Sequence, residues 1–329
     1  MANQSNKDRR QSLYDRYSNN LNMVKKCLGV IVASGEGDTK IEISGNVYIC
    51  PLCLNGFEES TLDQKHQNPL TLEHIPPSSL AGRPMILTCK NCNNKSGEKL
   101  DHLILTSFTA EAFLAGKKNM PINAKISIND QNRFSVSAEI SGDKEFEFLA
   151  QGKNPRYARS QMDSLKTDWQ NSRMKLSFQV PAKGQVAIGL LRIGYLRAYS
   201  FFGHALLIDA NSSRLRNQIQ NPNESNLPHA GVFNLNPGIN TKDGVYLIKK
   251  PIRSYLVVFT IGRNQYKEQI GVLIPGPGVE GWNDYLTMTN ILPNSELIIN
   301  YITDFNCIDE FGFVDGYFQF WFLAFHGKP

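Results

Sequence analysis

Cys50 and Cys53 form one Cys-x-x-Cys pair, and Cys89 and Cys92 form a second. Two thiolates two residues apart leave a single tight turn together, and two such turns close a tetrahedral shell around zinc. The spacing therefore assigns Cys50, Cys53, Cys89 and Cys92 to a structural zinc site. Between the pairs lies Leu70-Thr71-Leu72-Glu73-His74-Ile75-Pro76-Pro77, and the second pair runs directly into Asn93-Asn94-Lys95-Ser96-Gly97. Hydrolytic chemistry needs a base to deprotonate water, and an anionic leaving oxygen needs a cation to neutralise it. An imidazole near its free pKa and a carboxylate able to hold a hard divalent ion supply both. Each piece also has a plainer reading. Four-cysteine zinc sites are far more often structural than catalytic, and an acid-histidine pair before two prolines is commonly a surface turn.

Taken together, these residues resemble the HNH (ββα-metal) nuclease family, in the version whose core is held by four cysteines around zinc. The likeness covers about 60 residues, from Tyr48 to roughly Ile104. In that family an acid-His-Ile/Val-x-Pro run ends a first strand, and a second strand leads into a helix whose first turn carries a second His or Asn. The resemblance implies that His74 is the general base, that Glu73 is the acidic ligand of a catalytic magnesium or manganese ion, and that Asn93 closes the site with its amide oxygen. Hard oxygens would hold that ion while soft thiolates keep the zinc. The family's middle Asn has no match: it should fall about five residues before Cys89, where the chain reads Arg83-Pro84-Met85. In the family that Asn braces the loop between the strands.

His102, beyond Asn93 and next to Asp101, is either a substitute for the closing residue or an exposed helix residue. Arg83, Lys90, Lys95 and Lys99 are either a phosphate-binding rim or ordinary solvated surface. By resemblance the substrate is nucleic acid, with DNA the choice, cut to leave a 5′ phosphate; family members often serve in bacterial defence or mobile elements. The alternative from another class is a non-catalytic zinc module that binds nucleic acid or a partner protein.

The surrounding chain has 329 residues, 41% of them hydrophobic and 10% aromatic, enough for a sizeable core and two domains. A net charge of +5 permits nucleic-acid binding without demanding it. Four cysteines committed to zinc leave Cys27 and Cys307, which suits a reducing cytoplasm better than a disulfide framework. The N-terminal stretch has charge but no apolar run behind it, and no stretch reaches 18 apolar residues, so a soluble cytoplasmic protein without signal peptide or membrane span is expected. A homo-oligomer or a protein partner is compatible with all of this.

The expected fold class is α+β: a zinc-stapled ββα-metal module over residues 1–118 with an N-terminal helix, followed by a larger β-rich accessory domain over 119–329. Leu13, Tyr17, Leu21 and Val24 predict a helix from Asp8 to Leu28 that packs on the module. Lys40 to Ile49 alternates around Gly45-Asn46 and reads as a hairpin delivering Cys50. A helix opened by Asn93 continues as an apolar helix from Leu103 to Ala115, and the breakers in Gly116–Pro121 mark the domain boundary. Beyond it come strands near 124–128, 134–138 and 146–149, and an amphipathic helix from Pro155 to Ser172. Val186 to Phe202 is apolar nearly all round and predicts a buried helix, with Arg192 and Arg197 either snorkelling from the core edge or lining a pocket. Strands are expected at 245–248, 254–261, 269–274, 296–302 and 317–325. Pro275-Gly276-Pro277-Gly278 is a turn without the Lys-Ser/Thr needed to cradle phosphate.

Overall fold

The computed structural model describes residues 5–31, 46–128, 131–142, 145–150, 156, 160, 163, 173–227, 231–235, 241–291, 298–301 and 308–310. They form a mixed α+β structure of small antiparallel sheets and several helices. Helix α1 (Asn6–Ile31) buries Tyr14, Tyr17, Leu21 and Val24, the three- and four-residue spacing that places side chains on one helix face. That face packs on the cysteine module and on the 3-10 turn Gly203–Ile208.

The cysteine module is built from short pieces. Strand β1 (Tyr48–Ile49) pairs across the first cysteine turn with β2 (Gly56–Phe57). The 40–45 limb of the expected hairpin lies outside the described residues. Strands β3 (Leu70–Ile75) and β4 (Arg83–Cys89) form an antiparallel hairpin. Helix α2 (Lys90–Ser96) follows β4 without a break, so the helix opens three residues before Asn93. A π turn, Gly97–Asp101, then links α2 to α3 (His102–Leu114).

Four strands form an antiparallel sheet in the order β7-β6-β5-β8, with β5 Ile122–Ile128, β6 Gln131–Ile140, β7 Phe146–Ala150 and β8 Met174–Ser177. Ile122, Ala124, Ile126, Phe134, Val136 and Ala138 alternate with polar residues and bury one face against Phe113. The helix expected over 155–172 falls almost wholly outside the described residues.

Helix α4 (Lys183–Phe202) is the centre of the molecule, buried on nearly every side from Gly189 onward as its composition requires, with only Arg197 and Ser200 half-buried. Its two buried glycines let it approach both neighbours closely. A Cβ on Gly189 would lie 2.8 Å from Ile104 of α3, and one on Gly194 would lie 2.6 Å from Val272. Helix α5 (Ala210–Gln220) follows, its first turn capped by Asp209, whose carboxylate accepts from the Asn211 N–H at 3.0 Å. A five-stranded antiparallel sheet in the order β13-β10-β11-β12-β9 covers α4. Its strands are β9 Val232–Asn234, β10 Gly244–Lys250, β11 Ser254–Arg263, β12 Tyr266–Pro275 and β13 Ile298–Tyr301. Strand β11 is apolar without alternation because both its faces are buried. Tyr255, Val257 and Phe259 share the core with α4, while Leu256 and Val258 face Tyr285 and Met288 of helix α6 (Gly278–Ile291). The strand expected at 317–325 lies outside the described residues.

The main core does not follow the division drawn at 118/119. One contiguous cluster contains Tyr14 and Tyr17 of α1, Leu70 and Leu87 of the hairpin, Ile104 of α3, Leu191 and Tyr195 of α4, and Val257 and Val272 of the large sheet. The breakers at 116–121 interrupt the helix and start the small sheet, yet the chain returns at α4 to complete the core of the module it left. Among the described residues no helix is long and apolar enough to cross a membrane.

Because α4 and the large sheet bury their apolar faces partly against residues 14–113, a fragment of residues 119–329 is expected to lack a cooperative thermal transition. Circular dichroism during heating checks this; a soluble fragment with one sharp transition would show that its core closes alone.

Candidate metal centre and the Glu73–His74 site

Two turns bring the cysteines together. In the first, the Cys50 carbonyl accepts from the Leu54 N–H (2.9 Å) and the Cys50 N–H donates to the Asn55 carbonyl (3.0 Å), with Leu54 held at φ 61°. The second is the join of β4 to α2. Tyr48 binds the two regions: its hydroxyl donates to the Leu87 carbonyl (2.5 Å) and accepts from the Leu87 N–H (3.2 Å). The four sulfurs lie within 4.8 Å of one another, and Cys53 Sγ is 3.9 Å from Cys89 Sγ. A tetrahedron of Zn–S bonds near 2.3 Å has edges of about 3.8 Å, so the spacing fits a structural zinc ion. No disulfide joins them. Burial pushes the Cys50 thiol up, while hydrogen bonds from Cys50, Cys53 and Cys92 pull Cys89 down. Sulfurs this close share charge best around a cation.

The helices of the C-terminal half hold the first cysteine turn by its carbonyls. Tyr199 donates to Ile49 O (3.4 Å), Tyr195 to Pro51 O (2.9 Å) and Gln220 to Leu52 O. Beside them His204 is buried among Tyr17, Tyr48 and Tyr199, with its Nε2 accepting from the Ile49 N–H (3.4 Å) and burial pushing its pKa down to about 3. It is a neutral packing residue.

The hairpin places Glu73 and His74 at the end of β3. Its register slips by one residue between them, so Glu73 faces Ile86 and His74 faces Pro84, with Met85 as the extra residue of a bulge. The loop between β3 and β4, which lacks the Asn expected near Arg83–Met85, is braced by its own backbone. Leu80 N–H (2.8 Å) and Gly82 N–H (3.2 Å) both donate to the Pro77 carbonyl. Only glycine fits at 82, since a Cβ would sit 1.4 Å from the Pro76 oxygen. Asn93 reaches back from α2 to β3: its Nδ2 donates to Thr71 Oγ1 (2.9 Å) and points to Leu72 O (3.4 Å). This fixes the amide so that its oxygen is the free end. His74 is half-buried, and its imidazole has no hydrogen-bond partner among the described residues.

Glu73 is 3% exposed, and each of its carboxylate oxygens has a partner. Oε1 accepts from Arg192 Nη2 (2.6 Å) and Oε2 from Thr88 Oγ1 (2.8 Å). Arg192 of α4, 0% exposed, also donates through Nη1 to Asp101 Oδ1 (3.0 Å) in the π turn. It neither snorkels nor lines a pocket, contrary to both expectations: its charge is balanced inside the core. Burial raises Asp101 to about 6 even though Arg192 pulls it down. Removing one partner of such a buried pair costs roughly 3–5 kcal/mol, because the other charge is left uncompensated. Arg197, half-buried, lies with Nη1 2.6 Å from Met85 Sδ.

The expected set is thus only partly assembled. Glu73 and Asn93 lie on the same hairpin–helix unit, but Glu73 is almost fully buried with a guanidinium on Oε1 and a hydroxyl on Oε2, so the pair does not fit a magnesium or manganese ion that must keep oxygen ligands and waters around it. His102 is exposed, outside any contact with Asn93 that hydrogen bonding records. The four cations are exposed and do not form one cluster. Arg83 and Lys90 flank opposite ends of β4, roughly 20 Å apart along a strand of this length. Lys95 and Lys99 instead share the rim of a cavity of about 30 Å³ with Leu52, Cys92 and Gln220. No family model, curated protein or solved structure matches this chain. A four-cysteine cluster occurs in many small zinc folds, so the cluster alone does not select an HNH module.

Purified protein is expected to carry one zinc per chain, and Cys89→Ser to lose it. With structural zinc contributing on the order of 10 kcal/mol to folding, that variant should melt far below the wild type. Elemental analysis and a thermal melt check both; zinc-free wild type with the same transition would refute the assignment.

Proposed function

We propose that the chain is an HNH-type endonuclease that hydrolyses phosphodiester bonds of DNA, with His74 as general base. The observation that carries this reading is a single geometric unit. An acid-histidine pair ends the first strand of a hairpin, the second strand passes through a cysteine pair into a helix, and that helix returns Asn93 to the first strand. The bulge beside His74 turns its side chain independently of Glu73, which packs inward. A half-buried imidazole with an unoccupied lone pair accepts a proton from water, and the stiff Pro77-braced loop keeps the strand end in place. Lys95 and Lys99, exposed beside the second cysteine pair, attract the phosphate backbone. No step runs through a cation on Glu73.

One observation favours a second reading. With Glu73 neutralised by Arg192, the module has the contacts of a structural zinc unit that binds nucleic acid or a partner protein without cutting.

Cleavage of supercoiled plasmid, with an RNA substrate alongside and magnesium or manganese titrated, separates the two. His74→Ala is expected to lower the rate by roughly 10²–10⁴-fold with zinc content and melting temperature unchanged, because His74 is neither one of the clustered cysteines nor a member of the Arg192 ion pairs. A wild type that binds DNA and never cuts it supports the second reading.

A further inference from the structure

The contact that the cysteine module makes with Arg192 joins three elements that are far apart in the chain. Glu73 lies on β3 next to His74, Asp101 closes the π turn after the Asn93 helix, and Arg192 projects from the middle of α4. Its guanidinium spans the two carboxylates with separate nitrogens, at 2.6 and 3.0 Å. The planar fork is suited to this, whereas an ammonium could hold only one carboxylate well. Arg192 Nε has no partner among the described residues, so the side chain is held by these two contacts and by packing. The packing is tight, since α4 is wedged through Gly189 against Ile104 and through Gly194 against Val272. A divalent ion at Glu73 would meet a full positive charge already on Oε1, with Thr88 on Oε2 and 3% exposure. Like charges at that distance repel, and an ion such as magnesium dehydrates reluctantly.

We infer that Glu73 is the anchor of a buried clamp and not a cation ligand: Arg192 of the C-terminal half draws Glu73 and Asp101 together and so sets the hairpin end that bears His74 against the Asn93 helix. Arg192 is then a positioning residue of the His74 site. The inference rests on the endonuclease reading for what His74 does, and stands without it for the clamp itself.

The test uses full-length, zinc-loaded protein and three measurements: Mn²⁺ binding by calorimetry with the metal alone, melting temperature, and plasmid cleavage. Wild type and Glu73→Gln should give the same Mn²⁺ titration, either matching within about twofold in affinity or both without binding heat, because no ligand is lost. Arg192→Met should give the largest fall in melting temperature, and adding Glu73→Gln and Asp101→Asn to it should recover part of that fall, since the stranded charges are then gone. Arg192→Lys keeps the charge without the fork; it should melt above Arg192→Met and still cut at least tenfold more slowly than wild type, with Mn²⁺ affinity unchanged. A tenfold or greater loss of Mn²⁺ affinity in Glu73→Gln overturns the inference. So do melting losses that simply add, or an Arg192→Lys protein that cuts at the wild-type rate. If wild type cuts neither DNA nor RNA, the endonuclease reading falls, and the Mn²⁺ titration and melting cycle still decide the clamp.

Discussion

Four cysteine sulfurs lie within 4.8 Å of one another, a cluster that a bound zinc ion would close, and the structure around them is arranged about that convergence. The hairpin between the pairs is too small to hold itself: two strands of six and seven residues, with a loop tied by one carbonyl. Closure at the base gives it fixed ends. Tyr48 satisfies the Leu87 backbone from the side, and α4 and α5 then dock on the carbonyls of the first turn through Tyr199, Tyr195 and Gln220. The cysteine cluster, the hairpin and the C-terminal helices therefore share one continuous core.

Inside that unit one guanidinium faces two carboxylates, with the four-cysteine cluster in the same module. Such buried charge is weak evidence for stability, since the desolvation of three ions offsets most of their attraction. Its value is in geometry. Apolar contacts let helices slide by small amounts at little cost, whereas a fork that must reach Glu73 and Asp101 together admits one register of α4 against the hairpin. In this way the half of the chain without a chemical motif of its own sets the position of the half that has one.

Local signals in the sequence were legible where local physics decides. The Cys-x-x-Cys spacing identified all four converging sulfurs, the apolar period of α1 marked its buried face, and the apolar run 186–202 marked the central helix. Strands β10 to β13 followed from β-branched and aromatic content. Arg192 was misjudged because a cation in an apolar helix ordinarily reaches for the edge, and its two partners are 119 and 91 residues away. The boundary at 116–121 reflects a real break in local structure, but packing returns across it. Helix α5 carried a capping signal in Asp209, and α6 was hidden in a segment read as β-rich although Trp282, Tyr285 and Met288 recur at helical spacing. Glu73 and His74 read as equals on a strand; a one-residue bulge separates their surroundings, and no sequence spacing records it.

The central claim is that the cysteine centre and the C-terminal helices form one folding unit. Amide hydrogen exchange before and after removal of the metal with a chelator tests it most directly. The account predicts that protection is lost together in β3, β4, α4 and β11, because the core they share has no internal seam. Loss confined to residues 46–101, with α4 and β11 as protected as before, would contradict it.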